Sequence, residues 1–214
     1  MKRDRRRLFL AVLIAAILWF IMFSPWTKGW FNFWLEMSCA ALLLTGLALS
    51  FSTDLERLRP IEKPLWQLLG GIALAFVLWG IFWVGDKASS WLFDFARPEV
   101  DAVYAMKTGL PSWSIALLLL FLIGPAEEFF WRGYVQHTLE RLCSGPRAKL
   151  WAFALTLCIY ALIHVWSGNF MLFAAAAVAG FVWGIIYWFC PKALPALILS
   201  HALWDALVFV LLPI

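Results

Sequence analysis

Ionisable residues inside long apolar runs are the feature of this sequence that could do chemistry. Glu127 and Glu128 stand side by side in one run, His164 lies in the next, and His201 and Asp205 share the last. A charged side chain near the centre of a transmembrane helix costs about 2.5–3.5 kcal/mol on insertion scales. Residues retained at that cost are mostly functional. The candidate catalytic residues are therefore Glu127, His164, His201 and Asp205, with Glu128 in a supporting role.

The spacing around the paired carboxylates predicts different tasks for them. Glu128 and Arg132 are four residues apart, so they share a helix face and can form an ion pair. Glu127 is rotated by about 100° from Glu128 on the same helix. We therefore expect Arg132 to neutralise Glu128, while Glu127 stays free to exchange a proton as a general base.

The histidines lie where two further helices could bring them to the same carboxylate. The midpoint between Glu127 and His164 falls inside the Ser-Gly-Pro-Arg stretch 144–147, which predicts a helical hairpin with both residues about 27 Å from its turn. His201 and Asp205 are four residues apart, so the carboxylate could orient the imidazole. Bringing His201 level with His164 requires a tilted helix or a hairpin that protrudes from the membrane.

The composition indicates that lipid is the solvent for most of the chain. Of 214 residues, 64% are hydrophobic and 14% are charged, against about 45–50% and 25% in soluble domains. We predict an all-α polytopic bundle forming one transmembrane domain over 1–214, with N-terminal helices and an outer loop in 1–112 and a catalytic four-helix core in 113–214. The seven predicted spans are Leu8–Phe23, Phe31–Phe51, Leu65–Val84, Trp113–Trp131, Leu150–Val165, Phe170–Phe189 and Ala196–Leu212.

The basic residues predict the orientation of these spans. With the N-terminus in the cytoplasm, thirteen of the 17 Lys and Arg residues fall inside, Arg57 and Arg59 among them, and four fall outside. We therefore expect a multi-pass protein of a bacterial inner membrane, with its N-terminus inside and its C-terminus outside. The net charge of +4 is concentrated at 2–7, before the first span, which favours a membrane anchor over nucleic-acid binding.

Several other positions carry structural expectations. The segment Gly85–Pro111 is predicted to be the only long loop, with a short interfacial helix at Trp91–Phe95. We expect His137 to be solvated and Glu36 to reach the outer interface. Gly180 and Gly184 are four residues apart, which favours close helix approach. The four cysteines have no paired spacing and predict neither a disulfide framework nor a zinc knuckle.

Three motifs in successive apolar runs resemble a known family, the CAAX-protease and bacteriocin-processing (ABI, CPBP) group of glutamate-dependent intramembrane proteases. Its EExxxR, FxxxH and HxxxN/D motifs correspond to Glu127-Glu128-Phe-Phe-Trp-Arg132, Tyr160-Ala-Leu-Ile-His164 and His201-Ala-Leu-Trp-Asp205. The resemblance covers Phe121 to about Val210. Each motif alone is weak evidence, but three in order, each in its own span, are specific.

The resemblance implies a cavity among the core helices in which a water attacks a scissile carbonyl. Glu127 and His164 would activate that water, and His201 with Asp205 would line the oxyanion site, supported by Glu128, Arg132 and Tyr160. Tyr160 stands in place of the family's Phe. Asp205 stands where the best-known members carry Asn. Because an ionised carboxylate cannot donate to an oxyanion, we expect Asp205 to orient His201.

These observations favour an intramembrane endopeptidase that needs no cofactor and acts on a membrane-associated peptide or protein. A CaaX-type tail, a leader peptide and a C-terminal sorting tail all fit as substrates, with the lipid bilayer as the other partner. The sequence selects neither the substrate nor an oligomeric state.

Three alternatives remain open at this stage. Glu, His and Asp could hold a divalent metal, although the spacing H-E-x-x-H is absent. A non-catalytic scaffold or immunity protein could keep the helices without the chemistry. A proton-coupled transporter is less favoured, because we find no inverted repeat.

Overall fold

Helices account for the fold of this chain, which we describe from a computed structural model at residues 2–52 and 61–214. Within those ranges there is no β-strand, and seven helices are long and apolar enough to cross a membrane. The predicted all-α, multi-span architecture is therefore confirmed, and the protein is an integral multi-pass membrane protein. The helices are α1 Lys2–Phe23, α2 Phe33–Phe51, α3 Pro64–Leu92, α4 Ala96–Tyr104, α5 Ser112–Leu142, α6 Ala148–Ser167, α7 Phe170–Phe189 and α8 Pro191–Leu211.

Local signals in the sequence set several helix ends. The side chain of Asn32 accepts hydrogen bonds from two N–H groups of the first turn of α2, and Asn169 does the same for one N–H group at the start of α7. Pro64 begins α3, where its missing N–H has no cost. Gly145, with φ of +85°, forms the predicted turn between α5 and α6.

Two helices are longer than their apolar runs, which corrects the predicted boundaries. Helix α3 has 29 residues and α5 has 31, so α5 continues eleven residues beyond Trp131. The segment Gly85–Pro111 is not a loop, because its first part completes α3 and its centre forms α4. The predicted helix at Trp91–Phe95 is wrong, since α3 ends at Leu92. Hydropathy marks only the apolar run, whereas a helix continues for as long as its backbone hydrogen bonds do.

The last helix is central to the bundle, because it packs along α3 on one side and α5 on the other. Glycines permit both contacts. A Cβ at Gly71 would lie 2.8 Å from the carbonyl oxygen of Ala196, and one at Gly124 would lie 2.7 Å from Cα of Ala202. The two backbones therefore approach α8 more closely than any side chain would allow. This proximity brings His201 and Asp205 to the carboxylates of α5.

The outward-facing side chains of the spans are mostly large and apolar, as a lipid environment requires. Phe76, Phe121 and Phe189 are examples, each more than half exposed at the protein surface. At one end of the bundle, Lys192 pairs with Glu62, with Nζ 3.0 Å from Oε1. Arg57 and Arg59, assigned above to this end, lie outside the residues that the structure describes.

Candidate active site

A single cavity of about 450 Å³ brings the residues of the three motifs together. Its wall includes Glu127, Tyr160, His164, His201 and Asp205, and otherwise consists mainly of aliphatic and aromatic side chains. The other two residues named by the motifs, Glu128 and Arg132, are buried behind that wall. The structure therefore gathers side chains from α5, α6 and α8 that lie up to 78 residues apart in sequence.

Irregular backbone positions the two carboxylates. The stretch Gly124–Glu128 is α-helical, but a wide π-helical turn precedes it at Leu119–Ile123 and another follows at Phe129–Gln136. Pro125 has no N–H, and the preceding turn adapts by pairing the N–H of Gly124 with the carbonyl of Leu119. The backbone before the carboxylates thus forms a widened turn, and the helix continues through it.

Glu128 forms the centre of a buried charged cluster. Arg132 donates from Nη1 to its Oε1 at 2.8 Å, as the four-residue spacing predicts, and Nδ1 of His201 lies 3.0 Å from the same oxygen. Arg132 also donates from Nη2 to the carbonyl of Gly180 at 3.0 Å. Four residues further along both α5 and α7, Gln136 donates to the carbonyl of Gly184 at 3.0 Å. Gly180 and Gly184 therefore allow α5 and α7 to approach closely, and their carbonyls accept hydrogen bonds that hold α5 against α7.

His201 is oriented from both sides of its ring. Nδ1 faces Glu128 at 3.0 Å, whereas Nε2 lies 3.5 Å from Oδ2 of Asp205. The imidazole also stacks on the indole of Trp183, with ring centroids 4.0 Å apart and planes 17° from parallel. Asp205 contacts His201 as the spacing predicts, but Glu128 makes the shorter contact, so Glu128 contributes most to the orientation. Helix α5, which has 31 residues, thus brings Glu128 to the same level as His201 of α8.

Glu127 has a direct hydrogen-bond partner in Tyr160, the residue that replaces Phe in the second motif. The hydroxyl of Tyr160 donates to Oε2 of Glu127 at 3.3 Å. Phe, the usual residue at this motif position, would leave that oxygen without the contact. The replacement is therefore chemically significant, since it gives the free carboxylate a fixed hydrogen-bond donor.

His164 has a hydrogen bond at each ring nitrogen. Nδ1 lies 2.8 Å from the carbonyl oxygen of Tyr160, and Nε2 accepts from the indole N–H of Trp19 at 3.1 Å. Trp19 comes from α1 and was not among the predicted site residues. With 15 tryptophans in the chain, nothing in the pattern of the first span distinguishes this one.

Helix α4 covers one end of the cavity and is held there by contacts with several neighbours. Arg97 donates to Asp86 on α3 at 3.0 Å, and Glu99 accepts from the N–H of Met171 at the start of α7 at 2.8 Å. The hydroxyl of Tyr104 donates to the carbonyl of Val208 at 2.9 Å. Burial raises the pKa of that tyrosine above its usual value. Val100, Val103 and Tyr104 line the cavity, so α4 is part of its enclosure.

Other predicted positions lie away from the cavity wall. Glu36 is in the first turn of α2 and half-buried, outside the cavity. His137 was expected to be solvated, but it is half-buried against Tyr187, whose hydroxyl lies 3.4 Å from Nδ1. The expectation fails because α5 stays helical there and packs against α7. Among the described residues, no group of three or more His, Cys, Asp and Glu side chains is arranged to hold a metal ion, and all four cysteines are free.

Comparison with known proteins identifies the part of the chain that carries this site. Residues 109–207 match the family model described as type II CAAX prenyl endopeptidase Rce1-like. The match confirms the resemblance over a segment that contains all three motifs, and it supports an intramembrane protease of the CAAX type in general. No curated protein and no solved structure matches the chain.

Proposed function

We propose that this protein is a glutamate-dependent intramembrane protease. It hydrolyses a peptide bond in a membrane-associated peptide or protein. The observation that supports the proposal best is the pairing of roles in one apolar cavity. One carboxylate, Glu127, faces the cavity and accepts a hydrogen bond from the hydroxyl of Tyr160, while the other, Glu128, is buried and paired with Arg132 and His201.

The chemistry proceeds by addition of water to the scissile carbonyl. A water beside Glu127 and His164 forms the new bond from its oxygen to the carbonyl carbon, and Glu127 accepts the proton released. The same carboxyl group returns that proton to the peptide nitrogen as the carbon–nitrogen bond breaks. Because the carboxylate is restored at the end, no external acid or base is consumed.

His201 is the donor that we assign to the developing oxyanion. Its Nδ1 faces the Glu128 carboxylate and therefore carries a hydrogen, and its Nε2 faces the Asp205 carboxylate on the cavity side. With a carboxylate at each nitrogen, the doubly protonated ring is favoured and presents an N–H towards the cavity. Asp205 then has no need to donate, which accounts for a carboxylate at the position where Asn is common.

The substrate is an apolar or lipidated chain segment that fills the cavity, and the bilayer is the second partner. We further propose that the protein lies in a bacterial inner membrane, with its N-terminus in the cytoplasm and its C-terminus outside. Five basic residues at 2–7, before the first span, support this orientation. The protease is expected to act without a metal. Chelator treatment should leave hydrolysis unchanged, and loss of activity that one added divalent metal restores would favour the metal-dependent alternative.

The test uses the full chain in proteoliposomes with a prenylated CaaX peptide, a leader-type peptide and a sorting-tail peptide, and identifies products by mass spectrometry. Glu127→Gln is expected to abolish cleavage, because it removes the group that accepts the proton from the attacking water. Glu36→Gln, which removes another carboxylate within a span but outside the cavity, is the matched control and should keep full activity. If Glu127→Gln still cleaves the peptides, Glu127 is not the catalytic base. If the native protein cleaves none of them and its cellular phenotype is unchanged in Glu127→Gln, the non-catalytic scaffold is the better description.

A further inference from the structure

We propose that Trp19 is a positioning residue of this active site. By donating to the lone pair of Nε2 of His164, the indole of Trp19 fixes one neutral tautomer of that imidazole. The proposal rests on the proposed function, and it concerns which residue, Glu127 or His164, accepts the proton from water. Trp19 belongs to α1, outside the segment 109–207 that matches the endopeptidase family.

The two hydrogen bonds of His164 admit only one tautomer. An indole N–H can donate but not accept, so Nε2 of His164, 3.1 Å from Nε1 of Trp19, must present its lone pair. A carbonyl oxygen can only accept, so Nδ1, 2.8 Å from the carbonyl of Tyr160, must carry the hydrogen. The neutral ring with its hydrogen on Nδ1 satisfies both contacts at once.

Packing holds the indole in this position. Trp19 is 1% exposed and stands edge-on against the ring of Trp131, with centroids 6.5 Å apart and planes at 87°. Its ring also meets the imidazole of His164 edge-on at 6.0 Å. A fully buried tryptophan fixed on two sides acts as a rigid support, so the hydrogen bond to Nε2 persists as the site works.

The fixed tautomer assigns proton transfer to the carboxylate. A second proton on His164 would place an N–H at Nε2 facing the indole N–H, two donors with no acceptor between them. His164 therefore stays neutral, and Glu127 is the group that accepts the proton from water. His164 instead holds the carbonyl of Tyr160, whose hydroxyl donates to Glu127 at 3.3 Å. Trp19, His164 and Tyr160 thus form a series of contacts that ends at the catalytic carboxylate.

The tautomer can be observed without any substrate. The full chain is prepared in lipid nanodiscs with ¹⁵N-labelled histidine, and a His164→Asn spectrum assigns the signals of one among three histidines. We expect a protonated Nδ1 and an unprotonated Nε2 at neutral pH, and a mixture of tautomers in Trp19→Phe. Trp34→Phe is the control, because that indole donates to the carbonyl of Met106 in the same cavity wall, and it should leave the His164 signals unchanged. A protonated Nε2 in the native protein, or unchanged signals in Trp19→Phe, would overturn the proposal.

Turnover of the cleaved peptide gives the second readout. Trp19→Phe should lower kcat about tenfold, since small displacements at a reacting centre cost up to about a hundredfold in rate. Trp79→Phe removes an indole hydrogen bond to the carbonyl of Leu212, outside the cavity, and should keep the native rate. If Trp19→Phe does not fold, replacement of Trp19 by benzothienylalanine removes only the N–H and keeps the ring shape. A native kcat in the folded variant would refute the positioning role, whereas absence of hydrolysis by the native protein would count against the protease alone.

Discussion

Removal of the guanidinium of Arg132 tests whether the buried cluster around Glu128 holds the active site together. In Arg132→Gln, the Glu128 carboxylate keeps His201 as its only partner, and the carbonyl of Gly180 loses its donor. Glu128 is 0% exposed and Arg132 is 1% exposed, so neither group can find water in compensation.

The expected magnitude follows from that burial. Breaking a buried ion pair by removing one partner costs about 3–5 kcal/mol, because the remaining charge stays buried. We therefore expect Arg132→Gln to lower the free energy of unfolding by about 3–5 kcal/mol. The double variant Glu128→Gln/Arg132→Gln lacks both charges of the pair. Its free energy of unfolding should therefore be about 2 kcal/mol higher than the sum of the two single changes predicts. Reversible unfolding in mixed micelles measures all three variants.

The matched control is a pair of the same charge type at the protein surface. Lys192 lies 3.0 Å from Glu62, but both side chains are more than half exposed. Such pairs contribute about 0–1 kcal/mol, so Lys192→Gln with Glu62→Gln should show almost no coupling. A loss below about 1 kcal/mol in Arg132→Gln, or strictly additive effects at 128 and 132, would refute the assignment of a buried, mutually dependent pair.

Three further variants test the fold. Gly124→Ala should destabilise the protein by about 1–3 kcal/mol and lower activity, because the new Cβ meets the backbone of Ala202. Gly80→Ala, where nothing lies within 4 Å, should instead raise stability by up to about 1 kcal/mol, and thermal unfolding distinguishes the two. Burial raises the pKa of the Tyr104 phenol in the folded state. The contribution of this phenol to the free energy of unfolding is therefore fully present below about pH 10, the usual pKa of tyrosine, and declines at higher pH. The loss of stability above pH 10 should therefore be shallower in Tyr104→Phe, and an unchanged pH profile would show that this residue does not contribute.

Patterns along the sequence account for much of the architecture. Seven apolar runs predicted seven spans, and the turn at Gly145 lies where the symmetry between Glu127 and His164 places it. Hydropathy did not predict the true ends of α3 and α5. A helix ends where its backbone hydrogen bonds and side-chain contacts end, and these extend beyond the apolar run when a neighbour such as α4 or α7 satisfies the polar residues.

By itself the sequence determined which residues are costly in a membrane, which of them share a helix face, and the spacing that relates the core to the CAAX-type proteases. These are local properties, set by hydropathy and by the period of the helix. Only the tertiary structure decided that Glu128 contacts His201, that Tyr160 donates to Glu127, and that Trp19 donates to His164 across 145 positions. Such contacts depend on the rotation and crossing of packed helices, which no single span encodes, and for that reason the partner of His164 could not be found from its own motif.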